Sequence, residues 1–434
     1  MINIKDRYLL SALILVVIVA TSDLFLINTG DFYRLDYGFM NDAAMFNRDL
    51  PLIFNIKPLF LPLWEYDYKS SYTVLVYCYA WLLSWVTPFF DMRIFASLQK
   101  AFYIASVYLL FSCCSEFNKK WIKFPIFVIC CIPLLSSSIL SFSNSLYQEQ
   151  ALILFMPLLM IAIYKRMDFS TFLILSFIAC SKSQFFYLPL LMLVYYVIYD
   201  REHMLRKLAM MIVALGLAVS CIVFTTTATT YNKYHSAYFG VYALDKYAGL
   251  NKAQYDKDCA GVDAWGNVLS LEEGAIASDI GESCFKKHPE AGFKSSVQYI
   301  AENPMTIITL LFDKNIKSQM DEVYFHVYKS IKVMVNDHGF TSKITHAKQK
   351  LYGSLRPILS IIILIASLIF FRNRLSGLLF LTSATAISQF YIAFIGEGYR
   401  DLAKHLMPMN FSFDMSVFIL CILIVSALSN KLRA

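Results

Sequence analysis

Three short polar motifs interrupt an otherwise apolar chain: Asn28-Thr29-Gly30-Asp31-Phe32-Tyr33-Arg34, Asn144-Ser145-Leu146-Tyr147-Gln148-Glu149, and Glu397-Gly398-Tyr399-Arg400-Asp401 followed by His405. Each sets a carboxylate beside aromatic rings, and the first and third add cations. A base that takes a hydroxyl proton and fixed positive charges that hold a departing anion are what transfer from a phosphorylated donor needs. Asp31 and Glu149 are therefore the candidate catalytic acids. Arg34, Lys182, Arg400 and His405, if gathered around one acid, would hold a phosphate, with the planar fork of Arg400 suited to a bidentate grip.

Each residue also has a plainer explanation. Asp31 could be a solvated loop acid that caps the turn after Gly30. Glu149 stands at a helix start, where the dipole favours any carboxylate, so capping and function weigh equally there. Lys182, in Ser181-Lys182-Ser183-Gln184 between two apolar stretches, is costly at a membrane interface unless it meets an anion, although an isolated lysine can also snorkel into water. Arg400 and His405, with Glu397, Asp401 and Lys404 around them, could be no more than a charged turn. Asp23 lies deeper along the first apolar stretch, where an acid is a functional suspect that can also pair or snorkel.

Composition sets the frame that must position these groups. Of the 434 residues 58% are hydrophobic and 16% charged, and the mean hydropathy is +0.55, far from soluble averages. The chain reads as an all-α polytopic membrane protein with about ten transmembrane helices. The apolar stretches are Tyr8 to Asn28, Phe95 to Cys114, Phe124 to Phe142, Ala151 to Tyr164, Phe169 to Cys180, Phe185 to Tyr199, Leu208 to Thr227, Leu355 to Phe371, Leu375 to Ile395 and Phe411 to Leu428. The first follows Lys5-Asp6-Arg7 like a signal peptide but has no small-residue cleavage site, so it reads as a retained helix.

Basic clusters mark one set of turns: Lys5/Arg7, Lys119-Lys120 with Lys123, Lys165-Arg166, Arg201 with Arg206-Lys207, Arg372/Arg374 and Lys431/Arg433. The positive-inside rule puts these turns and both termini in the cytoplasm of a bacterial inner membrane, and all three polar motifs on the periplasmic face. Tyr72 to Pro88 is apolar enough to cross but would reverse that order. Its Tyr77, Tyr79, Trp81, Trp85 and Pro88 suit a juxtamembrane or re-entrant element.

Three regions follow: an N-terminal membrane domain over 1–226 with a first loop at 29–93, a loop subdomain over 227–350, and C-terminal helices over 351–434. Cys259 and Cys284 are the cysteines outside apolar stretches, and an oxidising compartment would let them bond, worth about 3 kcal/mol. Phe293, Val297 and Ile300 give one apolar helical face, ended by Asn303-Pro304, that should dock on the membrane domain. No repeat and no alternation strong enough for a sheet is visible.

The motifs Gly30 to Arg34, Asn144 to Glu149, Asn232 to Gly240, His288-Pro289 and Gly398 to His405, in that order, resemble the phage-type serotype-converting O-antigen glucosyltransferases and related hexosyltransferases of the GT-C class. The resemblance implies a hexose, usually glucose, taken from undecaprenyl phosphate and added to O-antigen or lipopolysaccharide, with a first-loop acid as base, which falls on Asp31. It also implies a separate lipid-loading synthase and a small flippase as partners. Gln148-Glu149 departs from the small-or-acidic pattern of the family, which leaves the role of Glu149 open. Tyr33, Tyr147, Gln184 and His288 are the candidate substrate contacts, and Phe32 or Trp64 could also stack on the sugar.

One carboxylate suffices for a single displacement, so the expectation is inversion, an α-glucoside from a β-linked donor, with no required metal and no cofactor. Lipids are the expected partners, and nucleic acid is not. A transporter or flippase would show repeated halves and midplane sites, which are not visible here. A polysaccharide polymerase or ligase would share the donor and compartment but move a whole glycan, and a scaffold would need none of these charges. No Gly-rich phosphate cradle for a nucleotide sugar is present.

Overall fold

In a computed structural model, described over residues 4–27, 30–41, 50–115, 120–225, 227–250, 252–264, 280–323, 326–328, 331–370 and 373–431, the chain forms a helical bundle with three two-stranded pairings. Among the described residues five helices are long and apolar enough to cross a membrane: Met92–Cys114, Met204–Val223, Gly339–Ile369, Arg374–Glu397 and Leu402–Leu428. A broken pair, Ile122–Leu135 and Ser137–Asn144, bent by 67°, is long and apolar enough only when its two halves are taken together, as a broken span or a re-entrant loop. Pro133 at the start of the last turn before the break and extended backbone at Ser136 account for the bend. The protein is thus a polytopic membrane protein of the all-α class.

The remaining expected spans are shorter. Gln150–Tyr164 and Asp168–Ala179 have 15 and 12 residues, a reach of about 18–22 Å against a hydrocarbon core of about 30 Å. The shortfall lies where Glu149, Lys182 and Gln184 are buried, so the polar turns are recessed into the bundle rather than raised above it. At the other ends of the same helices Arg166 pairs with Glu202 at 2.9 Å, Lys207 with Asp200 at 2.7 Å, Arg206 with Asp168, and Arg374 reaches the Tyr164 carbonyl. The basic turns at 165–166, 201–207 and 374 therefore share the end opposite the polar motifs. Lys119, Arg372 and Arg433 lie outside the described residues.

The first helix is Ile4–Ala20 and does not run to Asn28. Thr21-Ser22-Asp23 ends it: the Thr21 and Ser22 hydroxyls bond back to the Val17 and Val19 carbonyls, drawing the chain out of the helix. Phe25–Leu26 then pairs antiparallel with Met334–Val335. Asp23 is not in the helix but beyond it, half-exposed and 3.4 Å from His338. Tyr72 to Pro88 forms the helix Ser71–Ser84, capped by the Ser70 hydroxyl. Ser70 and Ser71 bond to the Ser181 and Phe177 carbonyls, and Tyr72 bonds to Gln99 near the start of Met92–Cys114, so the helix leans on the site end of its neighbours. Trp81, Trp85 and Val86 face outward, as an interfacial lie requires.

In the long loop Cys259 and Cys284 are bonded, as the sequence suggested. Phe293–Glu302 is helical, but its buried face carries Ser296 and Tyr299, while Val297 is exposed. The helix does dock on the bundle, through Tyr299 and the partly buried Ile300 against the core around Phe390 and Phe394, and the Val297 edge of the face read from periodicity is left outward. It continues into the exposed Met305, Ile307, Ile308 and Phe312, and apolar side chains beside a membrane can be satisfied by lipid. Behind this loop, Glu322, Lys348, Arg356 and Asp414 form a fully buried ion network. Lys348 bonds to Glu322 at 3.0 Å and to Asp414, Arg356 meets Glu322 at 3.2 Å, and Ser138 and Tyr352 donate to Glu322 and Asp414. It ties the bent pair, the loop and the long helices Gly339–Ile369 and Leu402–Leu428 together.

Candidate functional site

Asp31 lies on the short helix Gly30–Asp36, and its carboxylate is nearly enclosed. Lys404 donates to Oδ2 at 2.6 Å and Arg34, one turn on, approaches Oδ1 at 2.8 Å. Burial pushes this carboxyl up, but the Lys404 ammonium and then the Arg34 guanidinium outweigh it and hold Asp31 well below the usual carboxylate range. Lys182 adds to the same pull. Lys404 also stands 5.6 Å from the centre of the Tyr147 ring, and Phe32 packs edge-on against that ring at 4.9 Å. The Tyr147 hydroxyl donates to the Ile27 carbonyl, fixing the first and second motifs to each other.

Glu149 does not cap its helix. Its side chain bonds to no backbone amide there and instead takes the Lys182 ammonium, both groups being buried. The capping explanation fails for that reason, as does snorkelling for Lys182. Ser183 connects the same turn to the first loop through its amide, which donates to the Tyr68 hydroxyl, and the Tyr68 ring lies 5.8 Å under the Arg34 guanidinium.

The third motif is placed by a close backbone approach. Gly398, at φ +64°, presses on the turn Ala237–Val241, where a Cβ would sit 2.3 Å from the Phe239 carbonyl oxygen. Tyr399 donates to that oxygen at 3.0 Å. Arg400 then bonds to Asp263 at 2.9 Å, and Asp263 faces His235 at 3.0 Å. His405 meets Glu397 at 3.1 Å through Nε2 and Gln184 Oε1 at 3.4 Å through Nδ1.

The fold thus joins Asp31, Arg34, Tyr147, Glu149, Lys182, Gln184, Arg400 and His405 into one buried network, although 373 residues separate Asp31 from Lys404. His288 is not among them: it stacks on Tyr238 at 4.4 Å and bonds to Asp256 and Glu290 beside the disulfide. Trp64 is exposed, and the Tyr33 side chain, like Asn28 and Thr29, lies outside the described residues. Sequence reading missed Lys404 as the partner of Asp31, and it missed Asp263, which carries no motif. It missed Asp36 as well, whose buried carboxylate has neither oxygen hydrogen-bonded and is raised by burial to about 8.

Electrostatically, each cation of the network already faces a carboxylate. Arg34 and Lys404 share Asp31, Lys182 takes Glu149, and Arg400 takes Asp263.

A family model described as the YfdI N-terminal transmembrane domain matches residues 286–434. Over 416 residues the chain is 33% identical to the uncharacterized protein YfdI of Escherichia coli (strain K12), covering 95% of this chain and 94% of that one. No solved structure matches.

Proposed function

The chain belongs to the YfdI family of membrane proteins, and we propose that it is a membrane glycosyltransferase that moves a hexose from a polyprenyl phosphate to a glycan acceptor. What carries the reading is the buried pairing of Asp31 with Lys404 and Arg34. It sets a base between two cations at one end of a membrane bundle, the depth at which a lipid-linked phosphate lies.

The reaction is a single displacement. The acceptor oxygen attacks C1 of the hexose, the bond from C1 to the phosphate oxygen breaks, and its electron pair leaves with the polyprenyl phosphate. The hydroxyl proton goes to Asp31. Held as it is at rest, Asp31 is a weak base. When the phosphate draws Lys404 and Arg34 to itself, their pull on Asp31 is relieved and its basicity rises at the moment it is needed. Lys182 and Arg400, released in turn from Glu149 and Asp263, complete the phosphate grip, and Glu149 serves as the resting partner of Lys182. One carboxylate in the reacting position gives inversion.

Glucose, undecaprenyl phosphate, a lipopolysaccharide O-antigen acceptor and a periplasm-facing site in the bacterial inner membrane are the specific forms supported by the resemblance of the motifs and by the basic turns at the opposite end. The protein would then act beside a lipid-loading synthase and a flippase. The test supplies purified protein with labelled polyprenyl-phosphate-glucose and lipopolysaccharide in detergent, with UDP-glucose as the parallel donor. Label entering polysaccharide from the lipid donor alone is the expected result. Transfer from neither donor, with the lipid moved across vesicles instead, would replace this reading with that of a transporter.

A further inference from the structure

We propose that Glu397, Asp401 and His405 form a site for one divalent cation of the Mn2+ or Zn2+ kind. Glu397 ends the helix Arg374–Glu397, Asp401 lies on the turn that follows and His405 ends the short helix Leu402–His405, and one ligand atom of each lies within 4.8 Å of the others. Asp401 is only 8% exposed, yet its Oδ1 has no hydrogen-bond partner, and His405 Nε2 has none either. No ion pair among the described residues joins Glu397 or Asp401 to a lysine or arginine.

The tautomer of His405 can be worked out from its neighbours. Gln389 donates through Nε2 to the Tyr187 hydroxyl and the Gln184 carbonyl, which leaves its Oε1 to accept from Gln184 Nε2 at 2.9 Å. Gln184 must therefore turn its own Oε1 toward His405 Nδ1, and Nδ1 carries the proton. In the neutral ring this points the bare lone pair of Nε2 at a Glu397 oxygen 3.1 Å away, two acceptors facing each other. A cation about 2.1 Å from each atom resolves the conflict, subtending an angle of about 95°. Asp401, whose ligand atom lies within 4.8 Å of the other two, supplies the third position. A histidine whose second nitrogen is tied to an oriented carbonyl is the usual arrangement behind a metal ligand.

Charge points the same way. The network holds Arg34, Lys182, Arg400 and Lys404 against Asp31, Glu149, Asp263, Glu397 and Asp401, four against five, a net charge of −1 with both histidines neutral. A phosphate entering such a site meets an excess of negative charge, and a divalent cation reverses it to +1. That consequence rests on the glycosyl-transfer reading, whereas the existence of the site does not. The other cluster of this type, Asp256, Cys259 and His288, is unsuited because the Cys259 sulfur is bonded to Cys284.

The test uses tag-free, chelator-treated full-length protein in detergent, titrated with Mn2+ alone. One saturable equivalent is expected, with an imidazole-nitrogen modulation in the electron spin echo of the bound ion. Asp401→Asn and His405→Gln should weaken binding at least tenfold, and Gln184→Leu tenfold or more through loss of the Nδ1 hold. His288→Ala should change nothing. Absence of saturable binding, or binding without nitrogen modulation in the unmutated protein, overturns the site whatever the variants do. Mn2+ binding in a protein that transfers no sugar leaves the site standing and removes the proposed function instead.

Discussion

The sharpest prediction separates a base from a brace at Asp31. Asp31→Asn keeps the side-chain volume but deletes the charge that Lys404 meets at 2.6 Å and Arg34 at 2.8 Å. Breaking one partner out of a buried ion pair costs about 3–5 kcal/mol. Here the lower figure applies, because the Arg34 side chain is one-third exposed and water can replace part of its pairing, whereas Lys404 at 5% exposure has no such recourse. A loss of about 3 kcal/mol in a chain of this length lowers the melting temperature by about 3 °C. Sugar transfer should fall by about 10²- to 10⁴-fold, the usual contribution of a general base.

Both losses could come from a wrecked site, so the decisive variant is Asp31→Asn with Lys404→Gln. Removing the stranded ammonium should recover most of the lost stability, since two neutral amides can bond where an ion pair stood. It cannot recover a proton acceptor. Thermal unfolding in detergent and labelled transfer from polyprenyl-phosphate-hexose should therefore diverge, with melting near the parent value and transfer still down at least about 10²-fold. A double variant that regains transfer to within tenfold of the parent would show that neither the Asp31 carboxylate nor the Lys404 ammonium is needed for the reaction, and the base assignment would be withdrawn.

Three further outcomes follow from particular contacts. Asp36, raised by burial to about 8, binds a proton in the folded protein that the unfolded chain has released above its own value of about 3.9. Stability should therefore decline as pH rises from about 4 to about 8, by at most about 1.4 kcal/mol per unit from this group, and Asp36→Asn should remove that slope and stabilise the protein at pH 8 in a melting series. Asp31 has the opposite sign, its contribution being full above about pH 4 and lost only as pH falls further toward its lowered folded value. Gly398→Ala forces a Cβ to within 2.3 Å of the Phe239 carbonyl at positive φ, so it should cost about 1–3 kcal/mol and weaken donor binding by displacing Arg400 and Lys404; unchanged melting and unchanged apparent donor affinity would count against this placement. Glu322→Gln leaves Lys348 and Arg356 facing Asp414 alone, and a melting loss under about 1 kcal/mol would show that the quartet is not a structural tie.

How much of this was legible in the sequence varies by physical cause. Apolar length and the basic turns gave the membrane class and put the three motifs at one end, because hydrocarbon depth and charge cost act on each segment alone. The same cues overran the first helix, since Thr21 and Ser22 end it through local hydroxyl bonds that a hydropathy window averages away. They read the docking of Phe293–Glu302 but not its exact face, because Tyr299 and Ile300 pack on the bundle while Val297 turns outward, and beside a membrane an apolar side chain need not face protein. The cysteine pair was readable from its surroundings and His288 was not, as a histidine near a motif can equally well pair with Asp256.

The site itself was half legible, and the missing half has one cause. Glu149 and Lys182 each carried a competing explanation that could be decided only by finding the other, 33 residues away in sequence and in contact in space. Lys404 was visible as one charge in a charged turn, but nothing local distinguishes the lysine that meets Asp31 from the arginine four residues earlier that meets Asp263. What selects between them is the register in which Gly398 locks the turn against Phe239 and Gly240. At about 100° per residue, one residue of slip before Leu402–His405 would rotate Lys404 out of the network. If that register is what builds the site, a bulky residue at Gly398 should impair transfer as severely as loss of Lys404, although it touches no charged group. A Gly398→Ala variant that folds and transfers at the parent rate would mean that the pairing is chosen elsewhere.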